Sequence, residues 1–342
     1  MDITDAIKKL EINKKYPDTV LSGFKTLDEF TGGFQKGNLY IIAGKSSMCK
    51  SALVLNITRN VTVSQNKGVL FFTLEQSSEK LCNRLLAIES EIELDKICSD
   101  KPLEAYEWAK IELEVNRLTE KPLYIDDEKI TINKLANYAQ RMVEEHGVKL
   151  IIVDDIHRLA IADELKKATA TREQEVSHNV RELKALALEL NLPIIAISQL
   201  NKGSDNKNPY ASKKPILADL KDSGSIEDEA DMIMLLYRPE KYGFTEDDWG
   251  MPTAGVVTVT IAKNRDGNTT APDKGLKLKF IDKYVKFAEY EEDDFKSFGF
   301  DALPNSTFDA DTPASIRLGS RMNDGGGSGG FPYSNFDEEP PF

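Results

Sequence analysis

Residues 44–51 read Gly44-Lys45-Ser46-Ser47-Met48-Cys49-Lys50-Ser51 and open an apolar stretch that continues through Ile57. They fit the phosphate-loop pattern G-x-x-x-x-G-K-[ST] at every position but one, because Cys49 stands in place of the second glycine. In that pattern backbone N–H groups cradle phosphates, the lysine (Lys50) neutralises the β and γ charges, and the hydroxyl (Ser51) ligates Mg2+. A side chain at position 49 sits where backbone should approach phosphate closely. The competing frame, Gly44-Lys45-Ser46, places its first glycine at Leu39, inside an apolar run, and fails.

Other chemistry-bearing residues follow apolar runs. Residues 150–155 read Leu-Ile-Ile-Val-Asp-Asp, and Asp154 directly after the run suits support of a metal ion. Residues 71–75 read Phe-Phe-Thr-Leu-Glu, and Glu75 there can polarise an attacking water. Gln199 ends the run Ala-Ile-Ser-Gln within reach of a γ-phosphate. Lys263 and Arg265 end a late strand and, by the period of 2, project together. Two cations on one edge suit phosphate recognition across a subunit boundary, in the manner of an arginine finger. The plainer alternatives are an acidic turn capping a strand, a helix N-cap and a solvated hairpin end.

These groups need a scaffold. The run from Leu39 to Ala43 has no helical period and ends at Gly44, the signature of a buried parallel strand. Residues 69–73, 123–125, 150–153, 194–198 and 232–237 are further strand candidates that alternate with helical stretches. Val176, Val180, Leu183, Ala187 and Leu190 form one helical stripe, and Leu135, Ala139, Met142 and Val143 another. Such alternation predicts a mainly parallel sheet flanked by helices on both faces. Residues 256–262, 276–280 and 284–288 alternate with period 2 and predict an antiparallel extension.

A chain of 342 residues, 40% hydrophobic and 30% charged, can bury a real core as one large or two small domains. No apolar run approaches the roughly 18 residues of a membrane span, and the acidic N-terminus is not a signal peptide. Cys49, Cys82 and Cys98 lack metal-ligand spacing, which fits a reduced, cytoplasmic setting. The net charge of −13 is uneven: from residue 289 onward twelve acidic and three basic residues carry −9 of it. Basic loops lining a ring would suffice for nucleic acid, so net charge excludes nothing here.

Residues 1–18 read as a short helix, with Ile3, Ala6, Ile7 and Leu10 on one face, and a linker. That helix packs either on its own domain or on a neighbouring subunit. Residues 19–290 form the main domain, and 291–342 an acidic tail, expected to be disordered, with a Gly/Ser linker at 325–330.

The order and spacing of these motifs over roughly residues 20–288 resemble the RecA-like ATPase domain of DnaB-type replicative helicases. The resemblance is carried by residues 21–27, the phosphate loop with Ser47-Met48, residues 72–77 and residues 150–159. Further on it is carried by Ser198-Gln199-Leu200, residues 218–231 and residues 262–267. It implies a P-loop α/β fold, ATP and Mg2+ as cofactors, and a homo-oligomeric, hexameric ring moving 5′ to 3′ on single-stranded DNA. Lys50 and Ser51 would bind phosphate and Mg2+, Asp154 would support the metal, Glu75 would be the base and Gln199 the γ-phosphate sensor. Lys263 and Arg265 would act in trans. Lys221, Asp222 and Gly224 match the loop that tracks the DNA backbone, and residues 201–215, with Lys202, Lys207, Lys213 and Lys214, lead into it. Those lysines also read as a solvated loop.

The departures are Cys49, Asp155 and His157 in place of tyrosine and glutamine, and Lys221-Asp222 in place of arginine and glutamate. No N-terminal helical domain or primase domain is expected, so a primase or loader would be a separate partner. The ending Asp337-Glu338-Glu339-Pro340-Pro341-Phe342 resembles the acidic tip of bacterial single-stranded DNA-binding proteins, and implies partners that recognise such tips. Two other readings are a RecA-fold recombination or branch-migration ATPase, and a nucleotide-gated DNA-binding assembly protein without turnover.

Overall fold

The computed structural model describes residues 19–291 apart from 101, 161–170, 202–212, 221–222 and 249. The expected N-terminal helix, the tail from 292, and Lys202, Lys207, Lys221 and Asp222 lie outside the described residues.

Among the described residues a single sheet of nine strands organises the fold, in the order β3-β2-β4-β5-β1-β6-β7-β8-β9. The strands are β1 (Leu39–Gly44), β2 (Gly68–Thr73), β3 (Leu123–Asp126), β4 (Val148–Asp154), β5 (Ile194–Gln199), β6 (Met232–Tyr237), β7 (Val256–Asn264), β8 (Leu276–Ile281) and β9 (Lys286–Glu289). From β3 to β6 every pairing is parallel, and from β6 to β9 every pairing is antiparallel. This is the predicted architecture, including the change of direction near residue 256.

The buried strands explain the unbroken apolar runs. In β1, Tyr40 and Ile42 join one core layer while Leu39, Ile41 and Ala43 join the other. Both faces are dry, so no position in the strand selects a polar residue. The first layer is covered by α1 (Lys25–Thr31), α2 (Lys50–Arg59) and α3 (Ser78–Ser90), whose Leu27, Leu53, Ile57, Leu81 and Leu85 enter it. A short α4 (Leu94–Cys98) and the longer α5 (Ala105–Thr119) follow. The second layer is covered by α6 (Ile132–His146) and α7 (Arg172–Leu190), through the two stripes seen in the sequence. Helix α8 (Ser223–Glu229) leads into β6.

The antiparallel extension is covered on one side only. In β8, Leu278 and Phe280 are buried while the alternating Lys277 and Lys279 are not, the alternation expected of a half-solvated sheet. Among the described residues no helix is long and apolar enough to cross a membrane.

Candidate nucleotide site

Strands β2, β4, β5 and β1 are neighbours, so their carboxyl ends bring four separate sequence motifs to one rim of the sheet. Gly44 ends β1 and the loop turns at once into α2. A Cβ on Gly44 would lie 3.3 Å from both the Leu236 carbonyl and Met48 Cβ, so a side chain there would press on its neighbours by a few tenths of an ångström. Ser47 and Cys49 both adopt left-handed backbone, with φ of 65° and 61°. The first helical turn of α2, from Lys50, then presents its free N–H groups to the cleft. Lys50 Nζ donates to the Lys45 carbonyl at 2.9 Å and folds over the loop. Burial lowers its pKa, against the pull of the Asp155, Asp154 and Glu75 carboxylates.

Cys49 therefore does what the missing glycine would do with its backbone, and its side chain has a place of its own. Arg238 Nη1 donates to Cys49 Sγ. That guanidinium is buried (2% exposed), bonded to Glu240 and Asp282, and set 4.8 Å from the Phe280 ring. Burial raises the Cys49 thiol pKa, with Arg238 opposing, so the thiol is held protonated.

Asp154 ends β4 fully buried, and among the described residues neither of its carboxylate oxygens has a partner of hydrogen-bond geometry. Burial pushes its pKa up to about 6, with the nearby Ser51 hydroxyl pulling it down and Asp155 and Glu75 pushing it up. An orphaned carboxylate beside a serine hydroxyl fits a hard divalent cation, and Mg2+ takes few protein ligands because phosphate and water complete its shell. Among the described residues no group of three or more His, Cys, Asp or Glu could form a metal cage.

Glu75 stands just past β2, its side chain 40% exposed, with Arg158 Nη2 at 3.9 Å from Oε1. Gln199 ends β5, and its Nε2 donates to Asp155 Oδ2 at 2.7 Å. Asp155 Oδ1 accepts from the His157 N–H at 2.7 Å, and His157 Nε2 lies 3.1 Å from Ser198 Oγ. Between these groups lies a cleft of about 350 Å³, lined by residues 46–52 with Glu75, Arg84, Gln199 and Asp282 among others. A larger cavity of about 450 Å³ sits over the antiparallel extension, where Lys213, Lys214, Tyr237 and Phe244 line it. It holds none of the phosphate-loop groups, which line the smaller cleft instead.

Lys263 and Arg265 are elsewhere. Arg265 bonds Asp231 at 3.2 Å, and Asp231 in turn accepts from the Leu39 N–H at 2.7 Å, at the amino end of β1. Six residues of β1 separate that end from the phosphate loop, a span of roughly 17–20 Å. Both cations donate to the terminal carbonyls of α8, Lys263 to Glu227 and Arg265 to Asp228. They cannot serve the cleft of their own chain. Gly224 is exposed in the first turn of α8, and Lys214 pairs with Asp248 at 2.5 Å.

Arg238, Asp155, Arg158 and Arg84 were not assigned to the site from sequence. Arg238 lies 189 residues from Cys49, and only the sheet order makes them neighbours. Asp155 and His157 did carry a signal, as departures from the expected tyrosine and glutamine.

Fold and cleft together define a RecA-like P-loop protein. A solved ATPase domain superposes with a TM-score of 0.74 at 27% identity, covering 85% of this chain and 99% of that one. A DnaB-like replicative helicase, solved in a study of its interactions with primase, gives 0.72 at 27% identity, covering 85% of this chain and 67% of that one. Residues 19–289 match the family model of the DnaB-like helicase C terminal domain, and the chain belongs to that family. The replicative DNA helicase DnaB of Geobacillus stearothermophilus is 34% identical over 271 residues, which cover 79% of this chain and 56% of that protein. The chain thus spans less than two thirds of the length of the first curated relatives it matches.

Proposed function

We propose that the chain is the motor of an ATP-driven, ring-forming replicative DNA helicase that moves on single-stranded DNA. The observation that carries this is the separation of Lys50, Ser51, Glu75, Asp154 and Gln199, gathered at one end of the sheet, from Lys263 and Arg265 at the other. A site completed only by a second copy suits a ring in which each interface hydrolyses ATP.

In this reading the loop N–H groups, the α2 N-terminus and Lys50 bind the phosphates. Ser51 and Asp154 would hold Mg2+, which would offset charge on the β- and γ-oxygens. Glu75 accepts a proton from the attacking water, and Gln199 contacts the γ-phosphate. Lys263 and Arg265 of the adjacent copy stabilise the charge of the transferring group. Lys202, Lys213, Lys214, Lys221, Asp222 and Gly224 would follow the DNA backbone, and a step along it accompanies each round of hydrolysis.

Residues 2–12 would dock on the adjacent copy. An apolar groove of about 250 Å³ between α3, α5 and β3, lined by Leu85, Leu86, Val115, Leu118 and Leu123, supports that reading. A separate primase or loader, and replication proteins that bind single-stranded DNA-binding protein tips, are the proposed partners, in the cytoplasm. The test is ATP turnover with and without single-stranded DNA, together with unwinding of forks bearing a 5′ or a 3′ tail. DNA-stimulated turnover and unwinding of the 5′-tailed fork are expected. Nucleotide binding without turnover would favour the assembly protein, and turnover without unwinding the recombination ATPase.

A further inference from the structure

Asp231 is 6% exposed, and its carboxylate sits among donors from three elements. Oδ2 accepts from the Leu39 N–H at 2.7 Å and from Lys184 Nζ at 2.6 Å. Oδ1 accepts from Arg265 Nη1 at 3.2 Å. The main chain repeats the connection. The Arg265 N–H donates to the Asp231 carbonyl at 2.8 Å, and the Asp231 N–H donates to the Leu39 carbonyl at 2.9 Å. Lys184 is held in turn by the Gly37 carbonyl at 2.8 Å. Its ammonium lies nearer the carboxylate than the guanidinium does, so Asp231 is matched in charge by Lys184 and leaves Arg265 cationic. Arg265 Nη2 donates to the Asp228 carbonyl. These two bonds engage one N–H on each terminal nitrogen, and a guanidinium carries five, so donors remain for a further anion. The side chain is 43% exposed.

We propose that Asp231 is a positioning residue for the trans site, holding the Arg265 guanidinium where it meets the γ-phosphate bound by the adjacent copy. The proposal rests on the reading of Arg265 as a residue that acts in trans. A free arginine side chain spreads over many rotamers, whereas one tied at both terminal nitrogens is ordered before the transition state forms. The anchor is stiff, because Leu39 begins β1, which is paired with β5 on one side and β6 on the other. Asp231 touches no nucleotide in this reading and acts only through Arg265.

Asp231→Asn tests the role. Two donors converge on Oδ2 and one on Oδ1, so the new amide keeps its oxygen toward Leu39 and Lys184 and turns its NH2 to Arg265. Donor then faces donor, and the guanidinium leaves its place while the main-chain bonds stay. DNA-stimulated kcat should fall about 10- to 100-fold, less than with Arg265→Ala, while KM for ATP stays within about threefold. On an Arg265→Ala background the same substitution should cost no more than about twofold, since both changes then act on one missing group. An unchanged kcat, or losses that multiply in the double variant, would overturn the positioning role and leave the trans reading standing. If Arg265→Ala alone leaves turnover intact, the trans reading fails and the proposal with it. If Asp231→Asn does not fold, a structure of the wild-type assembly with Mg2+ and a non-hydrolysable ATP analogue decides. The Arg265–Asp231 bond should persist while Arg265 contacts the adjacent copy's nucleotide. A guanidinium that leaves Asp231 to reach the nucleotide would refute the proposal, and one that touches no nucleotide would refute the trans reading as well.

Discussion

Arg238 donates to the sulfur of Cys49 across the gap between β6 and the phosphate loop, and so fastens the one deviant position of the motif to the core. The thiol accepts from a guanidinium also held by Glu240 and Asp282. What loss of the second glycine alters is the backbone cost at φ 61°.

That cost sets the first prediction. Cys49→Gly relieves about 1–2 kcal/mol of left-handed strain and forfeits about 1 kcal/mol of hydrogen bonding. Nucleotide affinity should stay within about fivefold, a narrow range that follows from the near balance of the two terms. Cys49→Val places a β-branched side chain in the same left-handed conformation and should lower both melting temperature and affinity. Calorimetry and nucleotide titration of the two variants check this, and equal damage from both would mean that Arg238, not backbone conformation, governs the loop.

How much of this was legible beforehand depended on whether the information was local. The run Leu39–Gly44 announced a strand because each residue is buried on one face or the other, and the stripe through Val176, Val180 and Leu183 announced α7 for the same reason. Asp154 and Gln199 were legible because each ends such a run. The contacts of Cys49 with Arg238 and of Asp155 with Gln199 were not, since they join strands that only the sheet order makes adjacent. Helix α5 shows a second kind of limit. Trp108 and Leu113 are exposed there while Glu107 is buried, held by Lys96 at 2.7 Å and by the Glu104 N–H at 2.9 Å. A buried carboxylate satisfied by partners 3 and 11 residues away inverts the periodicity that would have marked the helix.

Glu75→Gln is expected to abolish turnover and leave nucleotide affinity within about threefold, because it removes a proton acceptor and no phosphate ligand. The side chain is partly exposed, and the contact to Arg158 at 3.9 Å is weak, so melting should barely change. Single-turnover hydrolysis and nucleotide titration make the measurement. A parallel loss of binding would assign Glu75 to the phosphates or the metal.

Arg265→Ala should lower turnover by about 10³-fold with little effect on ATP binding, by analogy with arginine fingers. Asp231, its partner at 3.2 Å, keeps Lys184 at 2.6 Å and the Leu39 N–H at 2.7 Å, so the fold survives the change. Mixing Arg265→Ala with Glu75→Gln protein should restore part of the activity, because some interfaces then join an intact cleft to an intact arginine. Strictly additive loss would count against a shared site.

Asp154 gives the last prediction, a dependence of stability on pH. Its pKa is raised from 3.8 to about 6, by burial above all. The unfolded chain ionises this group near 3.8, so between that value and about 6 the folded state binds the extra proton. Its contribution to stability is therefore fully present below pH 3.8 and is lost as pH rises through about 6. By pH 7.5 the buried charge costs about 3 kcal/mol in the nucleotide-free protein. Asp154→Asn removes the ionisation and keeps the shape. It should raise the melting temperature at pH 7.5 and lose that advantage progressively toward pH 5. Mg2+ with nucleotide supplies the missing countercharge, so the wild-type chain should gain stability from Mg2+ and nucleotide at pH 7.5, and the variant should gain much less. Thermal melts of both proteins at two pH values, with and without Mg2+-nucleotide, make the comparison. A variant stabilised equally at both pH values would show that Asp154 is not the group that titrates, and an equal response to Mg2+ would remove it from the metal site.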